Sequence, residues 1–103
     1  GMLIGTPEYM SPEQARGQRE LTPAVDIFAL GCVLYECLVG QSPFHADHVA
    51  AVLARILFEE PPPLQELYPG LPLPLHELMA RMLAKDPELR LRDAGQVCSA
   101  LSG

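Results

Sequence analysis

The apolar and polar positions divide the chain into helical stretches punctuated by prolines and glycines. Between Ala24 and Val39 only Asp26 and Glu36 are charged. A helix that is apolar almost all round is a buried one, so this segment is predicted to be the central element. Thr22 is expected as its N-cap, Pro23 at its first position and Gly40 at its end. Val49, Val52, Leu53, Ile56 and Leu57 fall at i, i+3, i+4, i+7 and i+8, which predicts an amphipathic helix. Asp47 can cap it, and Pro61-Pro62-Pro63 prevents its continuation. Leu75, Leu78, Met79, Met82 and Leu83 repeat the stripe in a helix ending before Pro87. Asp93 with Gln96 resembles a capping box opening a last helix through Val97 and Leu101.

The remaining segments lack a sustained period. Residues 2–19 carry Gly5, Pro7, Pro12 and Gly17 and read as loop, with one helical turn from Pro12 that Gly17 stops. Residues 64–74 hold Pro69, Gly70, Pro72 and Pro74 and read as an ordered loop. No stretch reads as a strand, so the fold class is all-α, and there is no internal repeat. Gly1 before Met2 is read as the remnant of a cut purification tag and is left out of the fold argument.

Composition narrows the function classes. The chain has 103 residues, enough for one small domain. With 49% hydrophobic and 19% charged residues it is not an extended disordered tail. Seven Lys and Arg against thirteen Asp and Glu give a net charge of −6. That argues against nucleic acid, which wants clustered basic residues, and against an anionic membrane surface. No uncharged apolar run reaches the length of a bilayer span. Three cysteines at irregular spacing do not make a disulfide framework, and a reducing, cytoplasmic setting is expected.

Several residues invite chemistry and are better explained without it. Cys32, Cys37, His45 and His48 suggest zinc, but two cysteines five apart on a helix lie about 140° apart around it. Neither belongs to a Cys-x₂-Cys pair, so no metal is expected. Met79 and Met82 are core packing at helical spacing. Ser42 and Ser99 have no His and Asp arranged to make either a nucleophile. The proline run reads as a helix terminator before a polyproline ligand.

Four motifs go further. Gly5-Thr6-Pro7-Glu8-Tyr9-Met10-Ser11-Pro12-Glu13 resembles the end of the activation segment of a eukaryotic-type serine/threonine protein kinase. Asp26-Ile27-Phe28-Ala29-Leu30-Gly31 resembles the Asp-x-Trp-Ser-x-Gly start of that family's central helix. Gly40-Gln41-Ser42-Pro43-Phe44 resembles its Gly-x-x-Pro-Phe turn. Leu83-Ala84-Lys85-Asp86-Pro87-Glu88-Leu89-Arg90 resembles its late Leu-x-Lys-Asp-Pro-x-x-Arg segment. All four come in the family's order and spacing over nearly the whole chain, and Ser-Pro-Glu-Gln-Ala-Arg-Gly is similar to bacterial members. Ser11 for the usual Ala and Phe28 for the usual Trp are small departures.

The resemblance implies the helical C-lobe portion of the protein-kinase fold, a central buried helix with three or so around it. Residues 2–21 would be the end of the activation segment, the substrate loop and a short helix, and residues 22–103 the rest of an incomplete domain. By resemblance Thr6 reaches the catalytic Asp and Lys of an intact kinase, and Pro7, Glu8, Tyr9 and Met10 receive the residue after the phosphorylated one. Glu13 and Arg90 would form a buried bidentate pair, with Gly5, Pro12, Asp26 and Gly31 as structural motif residues. Asp26 would hold the catalytic loop. The Gly-rich loop, the strand lysine, the His-Arg-Asp loop and the Asp-Phe-Gly all precede Gly5 in that family. These 103 residues therefore contain no catalytic residue, and Mg-ATP is implied for an intact parent only. The implied partners are a protein substrate, the upstream kinase lobe and, through an apolar surface left open, a second copy. Two alternatives stay open: a free-standing, inactive binding module derived from a kinase, and an unrelated helical adaptor.

Overall fold

The computed structural model describes residues 7–102. It holds six helices: α1 (Pro12–Ala15), α2 (Ala24–Val39), α3 (Val49–Phe58), α4 (Leu64–Leu67), α5 (Leu73–Met82) and α6 (Ala94–Ser102). No strand occurs among the described residues. α2 packs on α5, and α1 packs on α3.

Local sequence explains most of the boundaries. Ser11 caps α1 through a complete capping box with Gln14, and Pro12 takes the first position, where its missing N–H costs nothing. α2 starts one residue later than expected. Pro23 is the capping residue, and Thr22 Oγ1 accepts the Ala24 N–H at 3.3 Å. Gly40 ends α2 with φ of 91°, a left-handed conformation that glycine adopts without penalty.

Four expectations need correction. His48, not Asp47, caps α3, its Nδ1 accepting the Ala51 N–H at 3.4 Å. The expected loop over 64–74 contains the single turn α4, and α5 opens at Leu73 because Pro74 fits a first turn. α5 stops at Met82, well before Pro87, because the carbonyls of Ala84 and Lys85 turn to Arg90 instead of continuing a helix. The last capping box is half formed. Asp93 accepts the Gln96 N–H, while the Gln96 side chain accepts from Arg92.

Two packed groups make up the core. Phe28, Cys32, Tyr35, Phe44, Val52, Ile56, Leu64, Met79 and Leu83 form one, and Ile27, Leu78, Met82, Leu91 and Val97 the other. α2 supplies both, so it is central as predicted. It is not buried all round. Leu30, Val33 and Leu34 are 40%, 44% and 38% exposed on its far side.

α2 and α5 approach most closely at Gly31. A Cβ there would lie 3.0 Å from Met82 Cβ and 3.0 Å from Leu83 Cδ2. Gly31→Ala gains about 1 kcal/mol of helix propensity and meets an overpacking cost of about 1–3 kcal/mol. Met82 Cβ cannot swing aside, so net destabilisation of about 1 kcal/mol is expected. A thermal melt showing Gly31→Ala equal to or above wild type contradicts this contact.

Candidate functional site

The site is organised around one guanidinium. Arg90 donates from Nη1 to Glu13 Oε2 at 2.8 Å and from Nη2 to Glu13 Oε1 at 3.0 Å. It also donates to the carbonyls of Ala24 at 3.0 Å, Ala84 at 2.9 Å and Lys85 at 3.2 Å. A guanidinium has five N–H groups, and five bonds are made. Glu13 is 2% and Arg90 3% exposed. The Arg90 head also stands 5.0 Å from the Phe28 ring centre. Burial pushes the Glu13 carboxyl up, but the Arg90 hydrogen bonds, its own backbone N–H and the Arg90 charge outweigh it and leave it below the ordinary value of 4.5.

The segment before α1 is tied to the lobe at separate points. Pro7 is buried, and its carbonyl accepts the Met10 N–H at 3.0 Å, which turns the chain. Met10 packs against the larger core group. The Tyr9 hydroxyl donates to the Glu36 carboxylate on α2. That bond, followed by burial and the Glu36 charge, pushes the Tyr9 hydroxyl up to about 12, so it stays a donor at any ordinary pH. The Glu8 carboxylate accepts from Ser42 Oγ at 2.5 Å and lies 3.6 Å from His45 Nδ1. Gly5 and Thr6 lie outside the described residues.

The other expected residues fall as follows. Pro12 is buried at the start of α1, and Gly31 sits at the α2–α5 crossing. Asp26 stands exposed in the first turn of α2, apart from Glu13 and Arg90. Cys32 is buried, and its thiol is pushed up to about 12 chiefly by burial, so it is unreactive. Cys37 and Cys98 are exposed. Among the described residues no three His, Cys, Asp or Glu side chains gather as a metal site. No helix there is long and apolar enough to cross a membrane.

A family model described as "Protein kinase domain" matches residues 2–100. The chain belongs to this family. Its curated relatives include serine/threonine-protein kinase Pkn1 of Myxococcus xanthus, 39% identical over 98% of this chain. PknA of Mycobacterium tuberculosis is 39% identical over 99% of it, and PknB of the same organism 40% over 92%. The chain spans 14%, 23% and 15% of these three proteins. Titin kinase with its flanking domains superposes with a TM-score of 0.79 at 24% identity, covering 96% of this chain and 18% of that one. The twitchin kinase region of C. elegans gives 0.80 at 23%, covering 98% and 17%. These two structures show the fold, and it is the helical portion of the kinase C-lobe.

Within that kinase fold, sequence reasoning missed four partners. Glu36 is one of only two charges in α2, and that oddity was the available signal. Ser42 and His45 pair with Glu8 across a separation no pattern reveals. Lys85 caps the end of α3, donating to the carbonyls of Ile56 at 2.7 Å and Arg55 at 3.4 Å. Its ammonium lies 4.6 Å from the Phe44 ring centre, and Phe44 stacks on Phe28 at 5.8 Å.

Arg90→Ala leaves Glu13 buried without its cation and is expected to cost about 3–5 kcal/mol. Adding Glu13→Gln is expected to recover part of that loss in chemical denaturation. Equal melting temperatures for wild type and Arg90→Ala contradict the role of the pair. The Glu13 carboxyl binds its proton less tightly folded than unfolded. Its stabilisation is therefore complete above the unfolded value and is lost as pH falls through the folded one. The stability gap between wild type and Glu13→Gln should narrow as pH drops from about 6 to below about 4. A gap constant over that range contradicts it.

Proposed function

We propose that this chain forms the substrate-docking loop and supporting C-lobe of a serine/threonine protein kinase. The intact parent transfers the γ-phosphoryl of Mg-ATP to protein Ser or Thr. Pro7, Glu8, Tyr9 and Met10, preceded by Thr6, receive the protein substrate, and the chain contributes no catalytic residue. The observation that carries this reading is the double fastening of the loop: to α2 and the α2–α3 turn through Tyr9 and Glu8, and to the last motif through Glu13 and Arg90. A loop that must hold a peptide in register needs a fixed backbone. Asp26, exposed in α2, is the residue we assign to the upstream catalytic loop.

The same reading accounts for the open side of α2. Leu30, Val33 and Leu34 make an apolar strip, and such strips are ordinarily covered. Upstream helices of the kinase lobe cover it in the parent, and a second copy covers it when the 103 residues stand alone. The three cysteines, all free, favour a reducing cytoplasm.

The test begins with the natural gene product in its own cells. Its mass should be well above 11.2 kDa, and the purified protein should label protein substrates on Ser or Thr with radioactive ATP. Arg90→Ala in that protein should lower kcat/KM by about tenfold or more. The 103-residue chain should give no heat with Mg-ATP in calorimetry and should scatter light as a dimer or larger. A product near 11 kDa, or an intact protein that transfers no phosphate, overturns the kinase reading. A monodisperse monomer overturns the self-association.

A further inference from the structure

A cavity of about 180 Å³ lies away from the docking loop, between α5 and the turn that carries the three prolines. Pro62, Leu64, Met79 and Leu83 give it apolar walls, and Glu60 and His76 add two polar ones. The Tyr35 hydroxyl in its wall is already engaged, donating to the Pro62 carbonyl at 2.8 Å. His76 is different. It is 7% exposed, and its Nδ1 is enclosed with no hydrogen-bond partner among the described residues.

A buried polar atom left unpaired is costly and rare, so its surroundings show what it is built to meet. Water would be poorly held against the apolar walls, since a trapped water wants several polar partners. The volume falls below that of a drug-sized site and suits a single ring. Glu60 disfavours an anion by like-charge repulsion. A hydroxyl both donates and accepts, so it can pair with Nδ1 in either neutral tautomer.

We propose that this cavity binds one neutral, hydroxyl-bearing aromatic ring of phenol size, with the hydroxyl bonded to His76 Nδ1 and the ring against Met79 and Leu83. The ring can arrive as a free small phenol or as the side chain of a tyrosine on a docking protein.

The test uses the intact protein carrying ¹³C-methyl methionine. p-Cresol, toluene and N-acetyl-tyrosine-N-methylamide are titrated separately while the Met79 methyl signal is followed. p-Cresol should shift that signal saturably and bind about three- to tenfold more tightly than toluene, the margin of one hydrogen bond. His76→Phe should abolish the margin, and His76→Asn, which keeps a polar atom near the Nδ1 position, should preserve part of it. Tighter binding of the tyrosine amide than of p-cresol identifies a protein-borne ring, and the reverse order a free phenol. Equal affinities for p-cresol and toluene in wild type, or no saturable movement of Met79 with any of the three, overturn the proposal. The comparison within wild type decides the matter even if His76→Phe fails to fold.

Discussion

One guanidinium holds the lobe together. Arg90 joins four segments that have no other reason to meet: α1 through Glu13, the start of α2 through the Ala24 carbonyl, and the turn after α5 through the Ala84 and Lys85 carbonyls. Lysine could not replace it. An ammonium has three donors and no planar fork, whereas Arg90 uses five N–H groups in two directions at once. The residues from Leu83 to Arg90 form no helix, yet they are fixed because their carbonyls are spent on a buried cation.

The aromatic residues extend this arrangement. Phe28 stacks on Phe44, Arg90 stands over the first ring and Lys85 over the second. Lys85 in turn neutralises the end of α3, where unpaired carbonyls carry partial negative charge. Three motifs far apart in sequence therefore meet in one stack, in which rings fill space and cations satisfy backbone. Charge and packing are not separate contributions here, because removing either ring would also expose a cation.

The long elements were legible in the sequence because each rests on a local rule. The stripe from Val49 to Leu57, the apolar run of α2 and the glycine at its end need no tertiary information. The Glu13–Arg90 contact was legible only through resemblance, since no period links residues 77 apart. Boundaries fixed by tertiary demand were misread: α5 ends early because Arg90 takes the carbonyls that would extend it. α4 hid among prolines that normally signal loop. The choice of His48 over Asp47 as cap turns on which residue reaches the extended backbone geometry, and composition does not report that.

The separation of Glu13 from Arg90 also orders events during synthesis. A ribosome adding about 5–20 residues per second needs about 4–15 seconds to reach the partner. Throughout that interval the docking loop is made but has no anchor, and α2 cannot be sealed against α5. The nascent lobe must carry an unpaired glutamate and an open apolar helix until its last motif emerges. The loop that touches the outside world is thus made first and fastened last.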